Sequence, residues 1–110
     1  MSAEDFRINA YVRQVLSRLW VNLQTCRYGA VGEVVYFHGR FEKIRVPVRG
    51  EGDERWERDR PEHVAEDLQL IDMVEKQIRR EPNVKDVVFR LDNLRKVRGQ
   101  WASNDGTIKL

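Results

Sequence analysis

Two stretches of the chain place their apolar residues along one side of a helix, and a β-rich stretch lies between them. This pattern constrains the fold more than any other feature. In the first stretch Phe6, Ile8, Tyr11, Val12, Val15, Leu16, Leu19, Trp20 and Leu23 recur at the three-to-four-residue spacing of one buried stripe. Arg7, Arg13, Gln14, Ser17 and Arg18 fall away from it. The spacing predicts a helix over 3–23, with Ser2 as cap, Glu4 and Asp5 at its positive end, and Gly29 as a terminator beyond it. In the second stretch Val64, Leu68, Ile71, Val74, Glu75 and Ile78 form a stripe that Leu70 and Met73 broaden. Pro61 suits a first helical turn, and Pro82 stops the helix. A one-sided helix has to bury its stripe against a second layer.

Residues 30–48 supply that layer. Val, Tyr, Phe and Ile dominate them, as strands prefer. His38-Gly39 divides the stretch and reads as a hairpin turn, which predicts strands over 30–37 and 40–46. Ile44 and Val46 share a face of the second strand, and a bulge near Glu42 accounts for the opposite parity of Phe41. Pro47 marks a strand end or a sheet edge. Residues 49–60, RGEGDERWERDR, read as a charged loop or an extended hairpin tip. A third strand over 85–91 follows the second helix after a short link, parallel to one hairpin strand. The expected fold is α+β with the order α-β-β-α-β: two helices packed on one face of a small three-stranded mixed sheet. A chain of 110 residues fits one such domain, over 1–98. The remainder, 99–110, holds Trp101 and the turn-like Asn104-Asp105-Gly106, and is expected to be an edge strand over 107–110 or disordered.

Charge is segregated along the chain. Residues 1–48 hold seven basic and four acidic groups, residues 49–75 four and ten, and residues 76–98 eight and three. Such segregation steers an oppositely charged partner or simply solvates a face. The basic stretch comprises Lys76, Arg79, Arg80, Lys85, Arg90, Arg95, Lys96 and Arg98, with Phe89 and Trp101 nearby in sequence. Aromatic rings beside basic groups hold single-stranded nucleic acids. However, Phe89 shares parity with Val87 and Leu91 and belongs to the core side. The order also lacks a helix-turn-helix, a Gly-x-x-Gly loop between helices, or the aromatic motif of an RNA-recognition fold. The same basic groups suit anionic headgroups equally well.

Chemistry-bearing motifs are sparse. Cys26 is the single cysteine, so neither an intrachain disulfide nor a cysteine metal cluster can form. His38 and His63 stand in no spacing relation to it that suggests a dyad, and an assembled site needs base, nucleophile and orienting partner. Asp53, Glu54, Glu57 and Asp59 are interleaved with Arg49, Arg55, Arg58 and Arg60, which repel a cation. Gly50 and Gly52 lack the lysine and the helix of a phosphate-binding loop. No enzyme activity, metal or cofactor is expected. The N-terminus lacks the basic and apolar regions of a secretory signal, and a cytoplasmic location is expected.

Two places in the sequence carry a family resemblance. VVYFHGRFEKI, residues 34–44, reads as strand, turn Gly39 and strand. IRREPNVKDVVFRLDNL, residues 78–94, is a helix running into a strand, with Val84 and Val87 at paired positions and Asn93 beyond. Together with the element order they resemble a BON domain. The resemblance implies a non-enzymatic binding module that contacts a membrane surface, a protein or a small ligand. The expected partner is an anionic lipid surface or a protein, with nucleic acid held by the 76–98 region as the alternative. A homodimer through a sheet edge is a further expectation. The expected contact residues are Trp56, Arg79, Arg80, Arg95, Lys96 and Arg98. Trp56 is either an interface anchor or folds back onto the core.

Overall fold

The computed structural model describes residues 2–45, 60–104 and 106–110. Helix α1 spans Ala3–Arg18 and helix α2 spans Pro61–Arg79. Strands β1 (Cys26–Val31), β2 (Val34–Gly39) and β3 (Asp86–Leu91) form one sheet in the order β1-β2-β3. β1 and β2 are antiparallel, and β2 and β3 are parallel. The fold is the α+β arrangement expected, with an addition. β4 (Leu94–Val97) and β5 (Gln100–Ser103) form a second, two-stranded sheet.

The two stripes make the core. Ile8, Val12, Val15 and Leu16 of α1 are buried, as are Leu68, Ile71, Val74 and Ile78 of α2. They meet Ala30, Val35, Phe37 and Val87 from the sheet. The Tyr11 hydroxyl donates to the Gln77 carbonyl at 3.1 Å and ties the helices together. Phe6 and Met73, placed on the stripes by spacing, face solvent instead.

Three local predictions are corrected. First, α1 ends at Arg18 rather than 23. Trp20 takes a left-handed φ of 61°. Its N–H donates to Ser17 O, and the Val21 N–H reaches back to Leu16 O at 3.0 Å. These two bonds are a Schellman ending, with Trp where Gly is usual and with buried Val21 against buried Leu16.

Second, the hairpin turns at Gly32-Glu33, not at His38-Gly39. Both turn residues have positive φ, 58° and 66°, as a two-residue hairpin of type I′ requires. Asp5 of α1 holds the turn: its Oδ2 accepts from Gly32 N–H at 3.2 Å and its Oδ1 from Glu33 N–H at 2.9 Å. The expected strands over 30–37 and 40–46 therefore shift toward the N-terminus. Gly39 ends β2 with φ 100°, and a Cβ there would lie 2.4 Å from the Thr25 carbonyl oxygen. Beyond it residues 40–45 form no strand, only the isolated bridge of Lys43 to Val21, and the bulge at Glu42 falls away. Phe41 is buried because Asn93 clamps it, accepting from its N–H at 3.0 Å and donating to its carbonyl at 2.7 Å.

Third, Trp101 lies in the core, 1% exposed. Its ring meets Phe89 edge-on at 4.8 Å, and Phe89 stacks on Phe37 at 5.0 Å. The segment beyond contributes a single bridge, Ala102 to Lys109, in place of a strand over 107–110. Among the described residues no helix is long and apolar enough to cross a membrane.

Candidate functional site

Side chains alternate across a strand, so a sheet covered on one face presents the other outward. The outward set comprises Arg27, Gly29 and Val31 of β1, Val34, Tyr36 and His38 of β2, and Asp86, Val88 and Arg90 of β3. Register sorts them into cross-strand rows. Arg27 pairs with His38, and His38 with Arg90. The next row is Gly29, Tyr36 and Val88, and the third is Val31, Val34 and Asp86. Neighbouring strands lie about 4.8 Å apart, so the two arginines flank His38 with attachment points roughly 10 Å from each other.

Arg27, His38 and Arg90 are exposed. Among the described residues none of the three enters an ion pair. Tyr36 stands beside them in the central strand, 39% exposed. A Cβ placed on Gly29 would meet nothing within 4 Å, so the floor beside the tyrosine is bare backbone. An unpaired cationic row next to a half-exposed ring can hold an anion that also carries a flat group.

Of the described contact residues expected from the sequence, Arg80, Arg95, Lys96 and Arg98 lie on other elements, and Arg79 reaches the open face only at Asp86. Trp56 lies outside the described residues. Arg79 donates through Nε to Glu75 Oε2 at 3.1 Å and through Nη1 to Asp86 Oδ1 at 3.2 Å. Lys96 donates to Glu75 Oε1 at 2.6 Å and sits 5.6 Å over the Trp101 ring. Arg80 caps the end of α2, and Arg95 and Arg98 are exposed on the β4–β5 hairpin, with Arg98 in its turn at φ 51°. Lys76 and Lys85 pair with Asp72 and Glu33. The basic stretch thus divides: part neutralises buried Glu75, part decorates a hairpin, and Arg90 joins the open face.

The buried acids have structural work. Burial raises the Glu75 carboxyl, but donors from Lys96, Arg79 and Trp101 outweigh it and hold the group below its ordinary range. Trp101 Nε1 donates to the same oxygen at 3.2 Å, so Glu75 anchors the second sheet to α2. Asp67 is raised by burial, which Arg45 and the Lys43 N–H only partly offset. Burial pushes the Cys26 thiol up to about 12, which keeps it protonated and poorly nucleophilic. Among the described residues no three His, Cys, Asp or Glu side chains group as metal ligands would.

A second surface lies at the end of α1. Trp20 is 63% exposed in its left-handed conformation, beside exposed Ile44, over a shallow groove that Ser17, Val21 and Leu23 help to line. Sequence spacing placed Trp20 on the buried stripe and could not show this. Of the open-face row, Arg90 was grouped with the basic stretch and His38 with a turn, while Arg27 was missed because the predicted hairpin began at Ala30. The available signal is the alternation itself: Arg27-x-Gly29, Tyr36-x-His38 and Val88-x-Arg90.

Comparison with protein-family models, with curated proteins and with solved structures finds no match for this chain.

Proposed function

We propose that this chain is a non-enzymatic binding module that holds an anionic partner on the open face of its sheet. One observation carries the reading. Arg27, His38 and Arg90 form a continuous cross-strand row with no acidic neighbour in it, next to Tyr36. About half of the other described cations pair with carboxylates, as Arg79 and Lys96 do with Glu75; the remainder, Arg80, Arg95 and Arg98 among them, form no such cross-strand row. A surface that keeps its charges unmatched has electrostatic free energy to offer a partner. The reading agrees in kind with the BON-like module that the sequence resembles, and a cytoplasmic location belongs to the same proposal.

The test is a titration with long-chain inorganic polyphosphate, a polyanion without rings or lipid. Salt-sensitive binding is expected, and the Arg27→Ala/Arg90→Ala double variant should lose most of it. Equal binding by the double variant, or no binding by the native chain, removes the proposal.

A second reading, contact with a protein partner, is favoured by the exposed Trp20 at a strained position. A Trp held outward where Gly is usual has a conformational cost that packing does not repay, and such outliers concentrate at functional surfaces. Crosslinking from position 24, on the rim of the same groove, tests it: a discrete product that Trp20→Ala abolishes supports it, and none counts against it.

A further inference from the structure

We infer that the anionic partner is a single-stranded nucleic acid, one base of which lies against Tyr36 in the open space over Gly29. This rests on the anion-binding reading of the open face. Gly29 carries the argument. It sits inside β1, directly opposite Tyr36 on the central strand. Glycine in a strand interior weakens the strand and commonly marks a place where a ligand or another backbone comes close. Among the described residues nothing beyond its chain neighbours takes up the space: no such atom lies within 4 Å of a Cβ built at Gly29. Its φ is not in the left-handed region, so the backbone does not call for glycine either.

The row geometry matches the two chemistries of a nucleotide. Gly29, Tyr36 and Val88 offer a bare floor, a ring and an apolar flank for a base. The adjacent row offers Arg27 and Arg90 for the phosphates, with His38 between them. A ring within reach of cations is the platform on which unpaired bases stack, and a duplex hides those base faces. A planar anionic bilayer fits less well. It would have to cover Asp86, which pairs with Arg79 at the far end of the same face, and it offers no flat ring to lie against Tyr36. A single strand passes over the two adjacent rows without meeting that carboxylate.

The experiment uses the full chain and a fluorescein-labelled 12-mer of oligouridine in anisotropy titrations. Its comparison arms are a 12-base-pair RNA duplex, inorganic polyphosphate, and phosphatidylserine–phosphatidylcholine vesicles. The variants are Tyr36→Leu and Gly29→Val. The native chain should bind the oligouridine more tightly than the duplex or the vesicles. Each variant should weaken oligouridine binding by about tenfold, the effect of losing one stacked base, and leave polyphosphate binding unchanged. Gly29→Val should also melt no lower than the native chain, because valine suits a strand and the space is open. Oligouridine binding that both variants retain overturns the inference, as does tighter binding to duplex or vesicles. Binding to polyphosphate but not to oligouridine overturns the inference and leaves the anion-binding reading standing. Binding to none of the four overturns both.

Discussion

Replacing Glu75 with Gln tests how the second sheet is attached to the rest of the molecule. The side chain keeps its length and one carbonyl oxygen but loses its charge. In the native chain its two oxygens accept from Lys96 at 2.6 Å, Arg79 at 3.1 Å and the Trp101 indole at 3.2 Å. Hydrogen bonds that involve a charged group contribute about 1.5–3 kcal/mol each. Breaking a fully buried ion pair costs about 3–5 kcal/mol. That upper figure does not apply, because Arg79 is 45% exposed and Lys96 39% exposed, and water re-solvates both once the carboxylate is gone. The bond from Trp101 to a neutral amide oxygen is retained but weaker. The expected loss is therefore about 2 kcal/mol, equivalent to roughly 8 °C in melting temperature for a domain of this size. Urea denaturation and thermal melting measure it. The indole N–H of Trp101 should also lose protection from hydrogen exchange ahead of the core amides. A change below about 0.5 kcal/mol, the ordinary effect of a surface substitution, with Trp101 still protected, refutes the role of Glu75 as anchor.

Further outcomes follow from the same contacts. Glu75, Asp5 and Asp86 all sit below their ordinary carboxyl ranges, so their folded-state contribution is present above the unfolded carboxylate pKa values, about 4, and is lost as pH falls through the folded ones. Asp67 is shifted the other way and costs stability at neutral pH that acid relieves. With three groups against one, denaturant midpoints should fall with acidification below about pH 4, less steeply in Glu75→Gln. Trp20→Gly should leave stability unchanged or raise it by up to about 1 kcal/mol, since strain is relieved and little burial is lost; a fall above about 1 kcal/mol in urea would show the side chain to be structural. Asn93→Ala strips both bonds from the Phe41 backbone and should cost about 2 kcal/mol by the same assay. A change within experimental error would show that water replaces the clamp.

The parts of this fold that were legible in the sequence are those set by local spacing. Both helices follow from their stripes, and β3 from the run after Pro82, because one-sided burial imprints its period on the chain. The hairpin was legible as a hairpin but not in its register. His38-Gly39 is the stronger local signal, yet the turn forms at Gly32-Glu33 because Asp5, distant in sequence, satisfies its two N–H groups. The parity of Phe41 was a symptom of that shift. Trp101 looked like part of a tail because Arg95 and Lys96 hide the strand character of β4, and its burial depends on Phe89 and Glu75 from other elements.

The candidate site was less legible for a related reason. Proximity in sequence grouped Arg79, Arg80, Arg95, Lys96 and Arg98, whereas the fold separates them by face. Arg79 and Lys96 turn to Glu75, while Arg90, between them in sequence, lies on the outward face in register with His38. Side-chain direction on a strand reverses at each residue, so a run of basic residues seldom makes one patch there. Gly29 gave no sequence signal beyond helix termination, and its meaning depends on the residue across from it.

Chemical-shift mapping of backbone amides during titration with inorganic polyphosphate tests the central claim most directly. The account predicts that the largest changes fall on Arg27, His38 and Arg90, and that they shrink as salt is raised. Changes centred instead on Arg80, Arg95 and Arg98 would contradict it and return the binding surface to the basic hairpin.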